Sequence, residues 1–489
     1  MGFVRARLYT SVADSTVTDG DSSGDGAQKS LEFVAPFYTP FTPPREHSMA
    51  ESTPATTPVW QHRWTFIMAT TGAAVGLGNI WKFPYIAGEN GGGAFVLMYL
   101  ACILLLGIPI MMAEVMLGRS GRANPIHAML QHSRKIGASR GWSFIGIMGV
   151  LAGLMILMYY SVVAGWSLEY VQQSLLGSYM EKPPELIAAG FSTLAGDNAQ
   201  QLLWHSLFLT ATAVIVGFGV TRGIGNAVDF LMPLLFVLLL VLLVYAFRNG
   251  DFGTALQFMF SADFSKLSGE SLLTAMGHAF FTLSLGMGTV MIYGAYMPQN
   301  SSIGGAVLTV AALDTLIALV AGMTIFPLVF ASGLEPGSGP GLLFETLPIA
   351  FSGMWQGAFF GAGFFLLVAI AALSSAISLI EPAVAWLERL GLDRRIATAA
   401  LALLCWAGGF ASIYCDGVFD TLDYLTANIM LPLGGLLIAL FVGWQLGYTR
   451  ARKEVQNIRV GLFNLWFVVL RFIAPLGVVA VFLRSLGLV

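Results

Sequence analysis

Two groups of closely spaced glycines lie where the chain is otherwise apolar enough to cross a bilayer. Gly72, Gly76 and Gly78 fall in the first apolar stretch, and Gly286 and Gly288 fall in a later one. Because glycine is a poor helix former, each stretch is predicted to be interrupted near its middle. A broken helix at membrane depth leaves backbone N–H and C=O groups that must face protein, water, an ion or a polar ligand. Both breaks are therefore candidate binding sites.

The composition predicts a membrane protein. The 489 residues are 56% hydrophobic and 10% charged, and the mean hydropathy is +0.75. These values exclude an ordinary soluble protein and indicate a polytopic membrane protein. Cys102 and Cys405 lie in apolar runs and Cys415 stands alone, so neither a disulfide nor a cysteine metal cluster is predicted.

Apolar runs divide the chain into eleven predicted crossings. Residues 1–59 have no helical or strand period and predict a disordered tail, in which Met49 is the expected true start. Beyond Trp60 each apolar run is near the roughly 20 residues that a bilayer requires. A segment at 341–351 is predicted to be a helical loop. The predicted crossings are 65–88, 93–118, 142–172, 200–218, 223–247, 271–298, 302–333, 355–388, 395–414, 420–447 and 461–487.

Loop charges predict the orientation. Lys and Arg concentrate in alternate loops, which places the N-terminus in the cytoplasm and the C-terminus outside a multi-pass cell membrane protein. The two glycine-rich breaks then fall in crossings 1 and 6. Since five crossings reverse the direction of a second copy, this pattern predicts two inverted five-helix repeats, at 60–250 and 251–448, followed by a loop and crossing 11 at 449–489. Paired broken helices are typical of secondary transporters.

Four motifs carry a resemblance to a known family. They are Gly72–Asn79, Glu89–Phe95, Phe281–Gly286 and Leu373–Ser375, and together they resemble the neurotransmitter:sodium symporter family, whose bacterial members include leucine and multi-hydrophobic amino-acid transporters. The resemblance runs from Trp60 to the end of the chain. It implies an all-α, LeuT-like fold of two inverted five-helix repeats with broken helices 1 and 6, plus an eleventh transmembrane helix.

The resemblance also implies two bound sodium ions. One ion would be held by the carbonyls of Gly72 and Val75 with three groups of crossing 8, namely Ala371, Ser374 and Ser375. The residues support this reading independently, since positions i, i+3 and i+4 put a carbonyl and two hydroxyls on one helical face, and sodium prefers hard oxygen ligands. Serines that only bond the preceding turn explain the same motif. The second ion would be held by Ala74, Asn79, Thr282 and Asp314.

An amino-acid substrate is implied at the same breaks. Backbone N–H groups around Leu77 and Gly78 would bind its carboxylate, since helix N-termini favour anions, and Tyr160 would bond the carboxylate and close over it against Phe281. A glycine-rich packing seam is the plainer reading of this stretch, but a seam needs neither Asn79 nor a second break. The remaining predicted contacts, mostly apolar, are Ala74, Ile156, Thr282, Ser284, Met287, Ser375 and Leu379.

Charged residues are expected to gate and brace the site. Lys82 and Asp423 match an outer pair that is Arg with Asp in most relatives. The inner Arg and Asp positions of the family are here Thr57 and Arg389, which cannot form the usual salt bridge. A replacement salt bridge could involve Arg63, Glu388 or Asp393. Glu114 is expected to tie down free N–H groups of the break, Glu381 to have a comparable structural role, and His278 to be a hydrogen-bonded core histidine.

Asp314 predicts chloride independence. Two sodium ions and one substrate carboxylate leave an excess positive charge, which relatives offset with chloride or with a nearby carboxylate. The leucine transporter's Glu position is Ala318 here, and Asp314 lies one turn earlier. Its carboxylate could supply the missing charge. When the ions leave, it could return protonated, which would give proton counter-transport.

The sequence therefore predicts sodium-coupled import of hydrophobic or aromatic amino acids by alternating access. Met287 and the apolar pocket favour bulky side chains over charged ones. Alternatives are a transporter of another small zwitterion, a channel or sensor on the same fold, and a hydrolase using Ser375, for which no base is evident. No enzyme activity and no nucleic-acid partner are expected. The expected partners are the substrate, sodium and membrane lipid.

Overall fold

The computed structural model describes residues 58–336, 339, 341–455 and 458–485. The predicted tail, apart from Pro58 and Val59, lies outside the described residues, as do Met49 and Thr57. Every regular element in the described part of the chain is a helix. This agrees with the predicted all-α class, as expected where the bilayer forces each backbone group to bond within its own segment.

Nine continuous helices in the described residues are long and apolar enough to cross a membrane. They correspond to crossings 2 to 5 and 7 to 11, and the two remaining crossings are interrupted, so the predicted total of eleven is confirmed. The nine are Gly93–Gly121, Arg140–Leu175, Asn198–Gly217, Val220–Asn249, Ile303–Ala331, Gly357–Arg389, Arg394–Tyr414, Val418–Leu446 and Val460–Ala480.

Shorter helices lie in the loops between crossings. The predicted helical loop before crossing 8 is present as Leu342–Thr346 and Leu347–Ser352. Four further loop helices were not predicted, because their mixed composition lacks the long apolar run that marks a crossing. They are Pro125–Ile136, Pro184–Gly196, Phe252–Phe260 and Tyr448–Glu454.

Crossings 1 and 6 are broken as predicted. Helix 1a, Arg63–Ala74, ends where Val75 turns to extended backbone, and helix 1b continues as Gly78–Lys82 and Phe83–Glu89. Helix 6a, Gly269–Thr282, is separated from helix 6b, Thr289–Tyr296. Within the second break Gly286 has φ of 76° and Ser284 of 54°. Positive φ is accessible to glycine at little cost, whereas at Ser284 it places a strained residue in the break.

The two breaks face each other in the centre of the bundle. Ser284 Oγ donates to the carbonyl of Ala73 at 2.8 Å. Helix 6b lies against helix 1a, and the ring of Trp60, three residues before helix 1a, packs edge-on against Tyr293 and Tyr296. Helix 1b lies against 6a, where Phe281 covers Gly78. At each end of the site, half of crossing 1 therefore packs against half of crossing 6. This pairing is what two repeats of inverted topology require.

Burial separates inner from outer helices. In crossing 8, 83% of the most apolar stretch is buried, and in crossing 3, 78%, whereas crossing 9 buries only 28%. Crossings 3 and 8 pack along each other beside both breaks. The outer helices expose large apolar side chains such as Phe218 and Leu403, which is the composition expected of a surface that faces lipid.

Candidate ion and substrate site

A group of buried carbonyl oxygens surrounds one hydroxyl at the end of helix 1a. Ser375 Oγ lies 3.3 Å from the carbonyl oxygen of Gly72, and 3.4 Å from those of Ala73 and Val75. The last carbonyls of a helix lack intrahelical donors. Ser284 Oγ already donates to the Ala73 carbonyl, and the single Ser375 proton cannot satisfy both of the other two. This cradle therefore holds more acceptors than donors, which is the arrangement that attracts a hard cation.

Crossing 8 brings its predicted groups to the same cradle. Ser374 Oγ donates to the carbonyl of Ala371 at 2.9 Å within its own helix. This hydrogen bond to the preceding turn is the alternative explanation of the serine motif, which requires no sodium ion. Ser374 nevertheless faces helix 1a, because a Cβ on Gly72 would lie 3.2 Å from the Cβ of Ser374.

A second polar cluster surrounds the carboxylate of Asp314, which is fully buried. Asn79 Nδ2 donates to Asp314 Oδ1 at 2.8 Å, and Thr282 Oγ1 donates to the same oxygen at 3.0 Å. Tyr99 completes the cluster, with its hydroxyl 3.5 Å from Oδ2. All three donors are neutral. Since an ionised carboxylate is costly to bury without a positive partner, the cluster is suited to a cation beside Asp314.

Tyr99 was missed by the sequence reasoning. It lies in crossing 2, far from both breaks along the chain, and it packs on Phe83 with ring centroids 5.2 Å apart. The one available signal was a tyrosine within an apolar run, since a buried hydroxyl requires a partner. Nothing in the sequence indicates that the partner is Asp314.

A small cavity of about 20 Å³ lies between the breaks. Leu77 and Thr282, predicted as substrate contacts, do not line it, whereas Ala73 and Gly76, which were not predicted, do. At Gly76 a Cβ would lie 2.4 Å from Ser375 Oγ and 2.7 Å from the Tyr160 hydroxyl, so a larger residue there would displace these two hydroxyls. The predicted residues that line the cavity are Ala74, Gly78, Ile156, Tyr160, Phe281, Ser284, Met287, Ser375 and Leu379.

Tyr160 covers the backbone of the first break. Its hydroxyl accepts a hydrogen bond from the N–H of Leu77 at 3.2 Å. The neighbouring N–H of Gly76 is bonded by Asn79 Oδ1 at 3.1 Å. The N–H groups of Gly76 and Leu77 are therefore bonded by side chains that a carboxylate ligand could replace.

One end of the site is covered by the Lys82 cluster, which we define as Lys82, Asp423, Tyr159 and Phe281. Lys82 Nζ lies 3.6 Å from Asp423 Oδ1, and the two side chains are 18% and 36% exposed. The Tyr159 hydroxyl donates to the same carboxylate oxygen at 2.9 Å. Lys82 Nζ also lies 4.9 Å from the centre of the Phe281 ring, a cation–π distance. The predicted contact of Lys82 with Asp423 is thus present.

The opposite end holds the Arg394 cluster, which we define as Arg394, Glu381, Glu388 and Tyr296. Arg394 contacts Glu381 Oε2 at 2.5 Å and Glu388 Oε2 at 2.8 Å. The Tyr296 hydroxyl, at the end of helix 6b, donates to Glu381 Oε1 at 2.6 Å.

The Arg394 cluster differs from the predicted replacements. Glu388 takes part, but Arg63 forms no ion pair with a described residue, and Asp393 instead accepts the backbone N–H of Arg395 at 2.9 Å. Arg389 is exposed. From the sequence, Arg394 counts only as one of the loop charges that set the orientation. Only the packing of crossing 9 on crossing 8 directs its side chain to Glu381.

Two further expectations differ from the structure. Glu114 Oε1 accepts the N–H of Gly286 at 2.7 Å, so it braces the break of crossing 6 rather than that of crossing 1, because crossing 2 packs on helix 6b. His278 was expected to be hydrogen-bonded, and neither ring nitrogen has a partner among the described residues. Its ring instead packs 5.9 Å from Phe83 and 5.2 Å from Tyr99.

Paired broken helices around an apolar cavity with two oxygen-rich clusters define a membrane carrier for a cation and a small polar molecule. The model of the Sodium:neurotransmitter symporter family matches residues 57–181 and 190–488. The chain belongs to this family of sodium-dependent transporters.

Individual relatives are similar over most of their length. The uncharacterised sodium-dependent transporter YhdH of Bacillus subtilis is 34% identical over 444 residues, covering 88% of this chain and 98% of that protein. The sodium-dependent serotonin transporter of Drosophila melanogaster is 24% identical over 499 residues, 89% of this chain and 77% of that protein. The crystal structure of MhsT in complex with L-phenylalanine matches with a TM-score of 0.81 and 41% sequence identity. The match covers 88% of this chain and 99% of the MhsT chain.

Proposed function

We propose that the protein couples sodium entry to uptake of hydrophobic or aromatic amino acids. The observation that carries the proposal is the cradle at the first break, where Ser375 Oγ is within 3.4 Å of three carbonyl oxygens. A cation is the group that such a surplus of acceptors lacks. The similarity to a protein crystallised with L-phenylalanine supports the substrate class.

The proposal places one sodium ion in the cradle. Its ligands are the carbonyls of Gly72, Val75 and Ala371 with the hydroxyls of Ser374 and Ser375. Ser374 can donate its proton to the Ala371 carbonyl and still offer an oxygen lone pair to the ion, so the local hydrogen bond is compatible with an ion contact. The second ion lies beside Asp314, held also by Asn79, Thr282 and the Ala74 carbonyl.

The substrate binds between the two ions. Its carboxylate takes the N–H groups near Leu77 and Gly78, and the Tyr160 hydroxyl turns from accepting the Leu77 N–H to donating to the carboxylate. The side chain enters the space between Ile156, Met287 and Leu379. Because this wall carries no charge, it favours apolar side chains, and the unbranched Met287 adapts to their shape.

Transport proceeds by alternating access of the two repeats. The Lys82 cluster closes the external end, with Phe281 and Tyr160 as the layer over the substrate, and the Arg394 cluster closes the cytoplasmic end. This assignment takes the orientation from the loop charges, with the N-terminus in the cytoplasm and the C-terminus outside the cell membrane.

Uptake into proteoliposomes tests the proposal directly. We expect labelled L-phenylalanine to accumulate when sodium, but not potassium, is outside, and unlabelled Leu, Tyr and Trp to compete while Asp and Lys do not. The Ser375→Ala variant keeps the apolar lining but removes a hydroxyl ligand, so uptake should require more sodium. Equal uptake in potassium would overturn coupling, since a channel or sensor on this fold does not accumulate its ligand. Preference for Gly, a betaine or a charged amino acid would overturn the pocket assignment.

Chloride independence rests on Asp314. At about 4 Å and an effective dielectric near 20, a carboxylate attracts a cation by about 4 kcal/mol, which is enough to replace a chloride. Replacing chloride by gluconate should leave wild-type uptake intact. The isosteric Asp314→Asn variant removes the charge and should acquire chloride dependence. Loss of wild-type uptake without chloride would contradict the charge argument.

A further inference from the structure

A long furrow lies between crossings 4 and 9, away from the proposed transport site. It encloses about 720 Å³, far more than the cavity between the breaks. Its walls are mainly apolar, and it faces outward, because Phe218 and Leu403 on its rim are each 65% exposed. The furrow residues are Ser206, Leu209, Thr210, Ala213, Val214, Gly217, Phe218, Arg395, Thr398, Ala399, Ala402, Leu403 and Trp406.

The length of the furrow matches one leaflet of a bilayer. On each helix the lining residues recur at three- and four-residue spacing, so each helix contributes one continuous stripe. From Ser206 to Phe218 the stripe extends about 18 Å at ~1.5 Å per residue. The hydrocarbon core of a bilayer is about 30 Å thick, so a chain lying in the furrow would span roughly one leaflet.

The two ends of the furrow differ. At the deep end Trp406 Nε1 donates to Ser206 Oγ at 2.8 Å, which joins the two helices. At the other end crossing 4 finishes at Gly217 and crossing 9 begins at Arg394, so this end lies where the helices leave the membrane. An occupant would therefore place a polar group here and an apolar tail toward Trp406.

The polar end carries a positive charge without a partner. Arg394 is bound by Glu381 and Glu388, but the guanidinium of the adjacent Arg395 makes no hydrogen bond or ion pair with any described residue. Asp393 lies next to it, and its Oδ1 is bonded by the backbone N–H of Arg395. Guanidinium groups bind phosphate through paired hydrogen bonds, so this end is suited to a phosphate.

A buried hydroxyl lies one turn deeper. Thr398 is only 2% exposed, and its Oγ1 has no hydrogen-bond partner in the described part of the chain. A buried hydroxyl without a partner is costly. Thr398 lines the furrow, but its Oγ1 has almost no accessible surface, so this hydroxyl does not bond an occupant of the furrow.

We propose that the furrow binds an anionic phospholipid, with the phosphate on Arg395 and an acyl chain against Ala399, Ala402 and Trp406. The positive charge favours an anionic headgroup over a zwitterionic one, whose own cation would meet Arg395. Apolar walls along the furrow and an unpaired guanidinium at its membrane-surface end occur in the order in which a phospholipid presents its acyl chain and its phosphate.

Native mass spectrometry of the detergent-purified full chain tests this, with phosphatidylglycerol and phosphatidylcholine as probes. The first phosphatidylglycerol should bind more tightly than phosphatidylcholine. Arg395→Gln should weaken phosphatidylglycerol binding about tenfold, as expected for loss of a charge-assisted hydrogen bond, and weaken phosphatidylcholine binding by less, because its choline cation already opposes the arginine charge. Arg222→Gln removes an exposed arginine outside the furrow and should alter neither.

A furrow-filling variant keeps the test independent of charge. Ala402→Trp should remove the first tight site for both lipids, while circular dichroism and elution volume show that the chain is folded. Wild-type affinity for phosphatidylglycerol in Arg395→Gln or in Ala402→Trp would overturn the proposal, as would equal wild-type affinities for the two lipids. A wild-type dimer that Ala402→Trp converts to a monomer would also overturn it, because the occupant would then be a second copy of the chain.

Discussion

The Lys82 and Arg394 clusters lie at opposite ends of the same site and differ in how deeply their charges are buried. The Lys82 pair is partly exposed, single-point and 3.6 Å long, whereas Arg394 contacts a fully buried Glu381 at 2.5 Å and adds Glu388, and Tyr296 also bonds Glu381. Exposed pairs contribute about 0–1 kcal/mol, since water and salt screen them. Removing one partner of a buried pair costs about 3–5 kcal/mol, because a charge is left without compensation. The Lys82 pair therefore adds little to stability, whereas the Arg394 pair helps to hold the fold together.

The largest expected effect is on stability at the Arg394 cluster. Glu381→Gln leaves Arg394 buried with only the partly exposed Glu388, and we expect a loss of about 3 kcal/mol, measured by thermal unfolding of the purified protein. Glu388→Gln is the matched control, since its side chain is 36% exposed, and it should cost about 1 kcal/mol or less.

The paired variant Arg394→Met with Glu381→Met separates burial of charge from packing. Replacing a buried ion pair by apolar side chains is often neutral, so the double variant should recover most of the stability lost in Glu381→Gln. Equal costs for Glu381→Gln and Glu388→Gln would contradict the distinction between the two clusters.

A smaller stability effect and a clear transport effect are expected at Lys82. Lys82→Ala should change the unfolding free energy by about 1 kcal/mol or less yet impair uptake, because the pair closes over the site. Lys82→Arg should be tolerated. Exchanging the charges, with Lys82→Asp and Asp423→Lys together, should restore part of the uptake. Unaltered uptake in Lys82→Ala would remove this pair from the proposed gate.

The smallest effect is expected from Tyr159→Phe. This change deletes one hydrogen bond to Asp423, worth about 1 kcal/mol, and leaves the Lys82 pair in place, so uptake should slow only slightly. Tyr160→Phe is the informative neighbour, because its hydroxyl lies at the Leu77 N–H, and apparent substrate affinity should fall. If the two variants had equal effects on affinity, Tyr160 would have no special place at the break.

Charged and aromatic side chains at the ends of the site show the limit of sequence reasoning. The contact of Lys82 with Asp423 followed from motif positions. Arg394 did not, because a charge at the start of a helix is equally consistent with a solvated loop. His278 was expected to find a hydrogen bond, but the rings of Phe83 and Tyr99 occupy the space around it. The residues that surround Arg394 and His278 come from other crossings, so the local sequence does not identify them.

The sequence by itself determined the crossings and their breaks. Apolar run length defines a transmembrane helix because the bilayer has a set thickness, and Gly76, Gly286 and Gly288 interrupt helices through their own backbone freedom. These are local properties of the chain, so they can be read along it.

The tertiary structure decided which groups meet. Tyr99 reaches Asp314 across more than two hundred residues, Glu114 binds the break of crossing 6 rather than crossing 1, and Arg394 turns to Glu381 while Arg395 faces the furrow. Each choice depends on how a helix is rotated and at what height it packs against its neighbours. Small residues such as Gly118, where a Cβ would lie 1.8 Å from the Met291 carbonyl oxygen, set that rotation and height by allowing close approach.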